Sequence, residues 1–260
     1  MTALSDFTLV DRVSARALQA LAHGEILGIR HIRYVSDACC ATASRKVREV
    51  RRSRNRTSGR PVSLGVVVGD ALAGPAGRRA YLDAGLQAAH TLRELFSPFA
   101  SPVDNLFAEL NEAWPQGALF GEIGGQSVPP ATIRTFEKGD ALDPHVDRHE
   151  GDLLIDLCSR RRLAANIYLE VPPPDSGGAL EIWDQTLSPA DCASVHSAEF
   201  AIRRDELGRP ALAIYPSVGD LLLFDTSYVH AVSSVTGGSR VTLSLFVGIC
   251  SDGAPLSIFA

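Results

Sequence analysis

Apolar residues recur at helical spacing through roughly the first 117 positions and then switch to alternation with polar ones. The stretch LVDRVSARALQALAHG (9–24) predicts a helix closing on Gly24, a residue suited to a left-handed C-terminal cap. EILGIRHIRYV (25–35), rich in Ile, predicts a strand. Ser36 or Asp37 then caps a helix running through CCATASRKVREV (39–50), with the adjacent Cys39 and Cys40 in its first turn. In GRRAYLDAGLQAAHTLRELF (77–96) the spacing puts Leu82, Leu86, Ala89 and Phe96 on one stripe. SPVDNLFAELNEAW (101–114) starts on Ser101 as cap, with Pro102 first in the helix and Val103, Phe107, Leu110 and Trp114 inward.

From about residue 118 the short runs ATIRTF, AANIYLEV, ALEIW, GDLLLF and RVTLSLFVGI are β-branched or aromatic and are separated by Pro, Gly and Asp. The last alternates most cleanly. Val241, Leu243, Leu245, Val247 and Ile249 make one apolar face, and Arg240, Thr242, Ser244, Phe246 and Gly248 make the other. Several such strands after a helical layer predict a mainly β protein with helices (α+β): a double-stranded β-helix, or jelly roll, packed against N-terminal helices. The expected layout is one domain over 1–260, with a mainly helical part at 1–117 and the jelly-roll core at 118–260. The apolar face of the last strand would meet the helices, and its polar face would look into the barrel mouth, a pocket.

Composition narrows the partners. A net charge of −5 argues against nucleic acid or an acidic membrane surface, both of which favour a basic face, so a small molecule is expected. The N-terminus lacks the order of a signal peptide, and no apolar run approaches the ~18 residues of a membrane span, which predicts a cytoplasmic protein. Five Cys, two adjacent and none spaced as C-x-x-C, suggest ordinary buried thiols. The run RKVREVRRSRNRTSGR (45–60) reads as a solvated helix end and loop, or alternatively as a lid whose Arg54, Arg56 or Arg60 reaches an anionic substrate.

The chemistry concentrates in DPHVDRHE (143–150). In an extended strand, residues two apart share a face, so His145 and Asp147 can hold one metal ion while Val146 turns away. GDLLLFDTSYVHAV (219–232) offers His230 as a third ligand, and ten residues later Arg240 heads the cleanly alternating strand. Two neutral imidazoles and one carboxylate on a triangular face leave octahedral positions open, an arrangement suited to non-haem Fe(II). An arginine in a polar barrel mouth is a fixed cation that a carboxylate can engage through two hydrogen bonds.

His145-x-Asp147, then His230, then Arg240 with Thr242, resembles the Fe(II)/2-oxoglutarate-dependent dioxygenase superfamily, whose motif is H-x-D…H with a downstream Arg. GEILGIRHIRYVSDACC (24–40) is also similar to the entry strand and helix common there. The resemblance implies that His145, Asp147 and His230 hold Fe(II) and that 2-oxoglutarate chelates the metal. Its far carboxylate would pair with Arg240, helped by Thr242. With O2 as oxidant, 2-oxoglutarate would give succinate and CO2 while an unactivated C–H bond is oxidised. Related halogenases replace the carboxylate by Gly or Ala, so Asp147 favours hydroxylation, or an outcome such as desaturation, over chlorination. The layout is similar to small-molecule members acting on amino acids or derived metabolites, including relatives of carrier-independent halogenases.

Other positions extend the site. Arg134, alternating with Ile133, faces the barrel interior, where a guanidinium needs an anionic partner. Arg148 follows the ligand Asp directly, and both arginines suit an anionic or zwitterionic substrate. Asn166 and Tyr168 are inward candidates for binding 2-oxoglutarate, and Trp183 is either a pocket wall or core. His149 reads as an exposed imidazole, or one that backs the ligands, rather than as a fourth ligand, and His23, His31, His90 and His196 as non-ligands in helices or loops. Two rival readings stand beside the oxygenase. A zinc- or manganese-dependent hydrolase suits the same ligands but leaves Arg240 without a task, and a non-catalytic jelly-roll module would close the metal's coordination with protein.

Overall fold

The computed structural model describes residues 7–51, 61–72, 74–147, 157, 161–187 and 202–260. Its N-terminal part contains β1 (Thr8–Val10), α1 (Ala15–His23), β2 (Gly28–His31), α2 (Asp37–Arg51), β3 (Val62–Leu64), α3 (Val68–Leu72), α4 (Pro75–Phe96) and α5 (Pro102–Ala113). There follow β4 (Ala118–Phe120), the short hairpin β5 (Glu122–Ile123) and β6 (Gln126–Ser127), β7 (Thr132–Glu137) and β8 (Leu142–His145). After these come β9 (Arg161–Glu170), β10 (Leu180–Thr186), α6 (Arg204–Leu207), β11 (Leu212–Ile214), β12 (Leu221–Asp225), β13 (Tyr228–Val232), β14 (Ser239–Ile249) and β15 (Leu256–Phe259).

Two sheets face each other as a jelly roll. The larger runs β1-β2-β12-β9-β14-β15-β4, and the smaller runs β11-β10-β13-β8. Strand β14 is the spine of the larger sheet. It lies against β9 along its length, while on its other side Ser239 to Ser244 pair with β7 and Phe246 to Gly248 pair with β15. β3 adds to the free side of β7.

Alternation decides what each face meets. Val241, Leu243, Leu245 and Val247 join Leu163, Ala165 and Ile167 of β9 in a core shared with α1, α2, α4 and α5. At ~1.5–3 kcal/mol for each large aliphatic side chain taken out of water, this layer is the main adhesive between helices and sheet. The opposite faces of the same strands, through Ala164, Phe224 and Phe246, meet Leu180 and Ile182 of the smaller sheet. The helices therefore cover one side of the larger sheet, and its other side is left for a cavity.

Local signals set the helix ends. The Ser14 hydroxyl accepts the Ala17 N–H at the start of α1, and Gly24 ends it at φ 76°. The Ser36 hydroxyl accepts the Cys39 N–H at 3.4 Å, with both cysteines in the first turn of α2 as expected. Cys39, Cys40 and Cys250 are free thiols, while Cys158 and Cys192 lie outside the described residues. Two buried carboxylates tie the layers. Asp220 accepts from the Arg30 guanidinium at 2.6 and 3.0 Å and from the Arg33 and Ser217 N–H groups, fixing β2 to the head of β12. Asp225 takes Arg161 at 2.5 and 3.1 Å, and Arg161 also reaches the Ala22 carbonyl at the end of α1.

Several expectations need correction. Leu9 and Val10 are not helical: they lie in β1, parallel to β2 at the sheet edge, and the helix begins at Ala15. In α4 the fully buried positions are Tyr81, Gly85, Leu92 and Phe96, whereas Leu86 is 79% exposed. Ser101 stands at the start of α5 without capping it through its side chain, and Leu106 joins Val103 and Leu110 inward. The nominally helical part also supplies β1, β2 and β3 to the larger sheet.

Candidate active site

His145 ends β8 and lies opposite His230 of β13 in antiparallel register. Paired strand positions present side chains to the same face, so the two imidazoles meet inside the barrel, their ring centroids 4.3 Å apart. Asp147 lies just past β8. Its N–H donates to the Thr226 carbonyl at 3.2 Å, and Thr226, in the turn between β12 and β13, donates through its own N–H and hydroxyl to the Arg162 carbonyl. The turn that leads into the strand carrying His230 thus also fixes the backbone that carries Asp147.

The ligand atoms of the three side chains lie within 4.8 Å of one another. His230 Nε2 is 3.2 Å from Asp147 Oδ2, and His145 Nε2 is 3.6 Å from Oδ1. Each Nδ1 lies against a backbone carbonyl two residues earlier, Asp143 O at 2.7 Å and Tyr228 O at 2.9 Å. A carbonyl only accepts, so each Nδ1 donates, and Nε2 is the nitrogen that each ring turns toward the carboxylate. Burial, reinforced by the neighbouring His230, pushes the His145 pKa down to about 4, so the ring is neutral at pH 7. Burial works to raise the Asp147 pKa, but the hydrogen bond and charge of His230, then His145 and Arg134, outweigh it and hold the carboxyl well below the usual range. Two imidazole nitrogens and one ionised carboxylate on one side of a cavity fit a divalent ion with open positions.

The cavity beyond these ligands encloses about 580 Å³, mouth included. Its polar wall is the inner face of the larger sheet: Arg240, Thr242 and Ser244 of β14, Asn166 of β9 and Arg134 of β7. Arg240 is 2% exposed. Its guanidinium lies over the rings of Phe136 at 4.8 Å and Tyr168 at 5.1 Å, Nη2 donates to the Tyr168 hydroxyl at 3.3 Å, and Nε has no partner. A buried guanidinium without a carboxylate partner among the described residues is a receptor for one, which fits the far end of 2-oxoglutarate. Arg134 faces the same space opposite Thr242. Burial, set against the attraction of Asp147 and joined by the repulsion of Arg240, lowers its pKa from the ordinary guanidinium value.

The structure thus brings His145, Asp147, His230, Arg240, Thr242, Asn166 and Arg134 to one cavity. Trp183 is not among its walls. On β10, Leu180 and Ile182 turn inward, so Trp183 turns outward, packing with Val146, Val229 and Ala231 and donating from Nε1 to the Gly208 carbonyl at 3.2 Å. Arg148, His149, His196 and the arginines at 54, 56 and 60 lie outside the described residues. His23 and His90 pair with the surface carboxylates Asp252 and Glu94, and His31 ends β2 against Tyr34. Phe136 was legible from its i+2 relation to Arg134 but was missed. Val67 carried no local signal, because pairing of β3 with β7 is what brings its segment to the cavity.

A family model described as carrier-protein-independent halogenase WelO5 matches residues 14–259. An L-gamma-glutamyl-L-propargylglycine hydroxylase of Streptantibioticus cattleyicolor is 27% identical over 157 residues, covering 58% of this chain and 56% of that protein, so the match spans little more than half the relative's length. Crystal structures of an N-substituted L-amino acid dioxygenase from Burkholderia ambifaria share the fold. With α-ketoglutarate bound the TM-score is 0.62 at 20% identity, covering 95% of this chain and 91% of that one. Without it the values are 0.63 and 22%, with the same coverage.

Proposed function

Since the chain belongs to the WelO5 family of carrier-protein-independent halogenases yet carries the carboxylate of Asp147 between its two metal-facing histidines, we propose that it is an Fe(II)- and 2-oxoglutarate-dependent oxygenase. Its reaction is hydroxylation of an unactivated C–H bond in a small carboxylate-bearing molecule, an amino acid or amino-acid derivative, with release of succinate and CO2. The observation that carries this reading is the pairing of an open-sided His145–Asp147–His230 set with Arg240, a buried guanidinium lacking a carboxylate, in one cavity. The substrate class is supported by the Streptantibioticus relative, named for hydroxylating an amino-acid derivative.

When bound, Fe(II) and 2-oxoglutarate supply the oxidising chemistry. The chain's own part is positional. His145, Asp147 and His230 would hold the metal, the two rings oriented by the Asp143 and Tyr228 carbonyls. Arg240 and Thr242 hold the far carboxylate of 2-oxoglutarate, and Asn166 lies one strand away to hydrogen-bond it. Phe224, Phe246, Leu180 and Ala164 keep the remaining wall apolar and exclude water from the reacting carbon. Asp147 would occupy the coordination position that a halide needs, which supports hydroxylation over halogenation.

The test is an anaerobic titration of metal-free protein with Fe(II) and 2-oxoglutarate, following the visible charge-transfer band of the chelate. The band should form in the wild type, require more 2-oxoglutarate in Arg240→Leu, fail in Asp147→Ala, and decay with release of succinate when oxygen enters. Metal binding without a band in the wild type would transfer the site to hydrolytic chemistry.

A further inference from the structure

A second cavity lies away from the metal-facing residues and shares no described wall residue with the first. It encloses about 590 Å³, mouth included, between the middle of α4, the start of α5 and Phe120 of β4. That size is in the range of small-molecule sites. Part of the apolar stripe read from the sequence of α4 ends here. Leu86 and Ala89 join no described core cluster and border this space instead, beside the buried Leu92, Val103 and Val128.

One polar wall residue is left unsatisfied. Ser101 is 5% exposed, and its hydroxyl makes no hydrogen bond among the described residues. It stands immediately before α5 without capping it. The N–H groups of Val103 and Asp104, in the first turn, therefore have an acceptor neither in their own helix nor in that side chain. A buried hydroxyl without a partner carries a free-energy cost that a ligand acceptor removes. Charges at the rim cancel: Arg93 donates to both carboxylate oxygens of Asp104, at 2.8 and 3.0 Å. What remains is the positive end of the α5 dipole, a hydroxyl donor and apolar walls. Together these complement an anion carried on an apolar body.

We propose that this cavity is a second small-molecule site, and that it takes a monocarboxylate with an apolar body. The carboxylate meets Ser101 and the first turn of α5, and the body lies along Leu86 and Ala89. The proposal goes beyond the oxygenase reading and does not depend on it, since the two cavities have no described residue in common.

The experiment titrates n-octanoate into the full chain by calorimetry, anaerobically and with saturating Fe(II) and 2-oxoglutarate so that the first cavity is occupied. Octan-1-ol, of the same length and uncharged, is the control. Octanoate should bind at one site per chain, about tenfold or more tighter than octanol, as expected for charge-assisted hydrogen bonds. Ser101→Ala should weaken octanoate about tenfold without lowering Tm, because the hydroxyl holds nothing in the free protein. Leu86→Glu, at a rim position 79% exposed, keeps the fold and should also weaken octanoate, through like-charge repulsion. Neither variant should move 2-oxoglutarate affinity by more than about twofold, as expected of distant sites. No octanoate binding, or octanol bound as tightly as octanoate, overturns the proposal. So does octanoate binding that both variants leave unchanged, which would place the ligand in the first cavity. A lower Tm in Ser101→Ala would assign the hydroxyl to capping α5 and overturn it as well. A wild type that sediments as a dimer, with Leu86→Glu as a monomer, would make this wall a contact between copies, with the same consequence.

Discussion

At His145 and His230 the backbone, rather than any other side chain, chooses the tautomer. The carbonyls of Asp143 and Tyr228 each take an Nδ1–H, which turns Nε2 of each ring toward Asp147. This arrangement has a pH consequence in the metal-free protein. The folded pKa of His145, about 4, lies below its ordinary 6.5, so the unfolded chain takes up the proton first. The stability tied to the neutral ring is therefore complete above about pH 6.5 and is lost as the pH falls toward 4, with Asp147 acting in the same direction at lower pH. Denaturant unfolding of the apo-protein between pH 7 and 4 should show this loss, and His145→Gln should flatten it. An unchanged slope in the variant would contradict the assignment. Arg240 gives a second prediction: Arg240→Leu should raise the KM for 2-oxoglutarate by about 10–100-fold, whereas Thr242→Val, losing one neutral hydrogen bond, should raise it by about tenfold or less. Steady-state kinetics at saturating substrate would check both. His145 and Asp147 were legible as a candidate pair because their i, i+2 spacing suits extended backbone, although β8 itself ends at His145. Trp183 was not, because its sequence does not say which face of β10 looks inward, and that is settled by Leu180 and Ile182 meeting the larger sheet.

Among the elements, helix α4 shows where hydrophobic periodicity misleads. Counting apolar side chains selects Leu82, Leu86, Ala89 and Phe96; Phe96 is buried, but rather than through Leu86 the face that meets the protein reaches it through Gly85. A Cβ added there would sit 1.7 Å from the Ser127 carbonyl oxygen. The closest approach of this helix is thus made by a residue with no side chain, which a hydrophobicity pattern cannot register. Gly85→Ala should destabilise by about 1–3 kcal/mol through overpacking, while Leu86→Ala, at a position 79% exposed, should stay within about 0.5 kcal/mol. Urea midpoints of the two variants would decide between the faces. The strands after residue 118 were legible because each alternates between two different environments. β1 was not, since Leu9 is 64% exposed on an edge strand and its short run also fits the start of a helix.

Taken whole, the molecule joins a helical layer, a long sheet and a short sheet, and the candidate metal lies where the two sheets face each other. No helix among the described residues is long and apolar enough to cross a membrane. The three metal-facing residues come from β8, the segment after it, and β13, whereas Arg240 and Arg134 come from the larger sheet. Ligands that touch both sheets hold them together, so Fe(II) and 2-oxoglutarate, each at about 100 times its dissociation constant, should add about 2.7 kcal/mol apiece. For a chain of this size each increment is a rise in Tm of about 5–10 °C. Calorimetry of the anaerobic protein with and without the pair checks this, and Arg240→Leu should lose most of the increment due to 2-oxoglutarate.

Strand β14 keeps its two duties on opposite sides of one backbone: Val241, Leu243 and Val247 are embedded among the helices, while Arg240, Thr242 and Ser244 border the cavity. In a saturation-mutagenesis screen scored separately for cellular abundance and for turnover, neighbouring codons of this strand should therefore fall into different phenotypic classes. Changes at Val241, Leu243 and Val247 should deplete the protein, and changes at Thr242 and Ser244 should leave its level intact while lowering turnover. Such interleaving lets selection redesign the chemistry of the chamber one codon at a time without renegotiating the architecture that supports it.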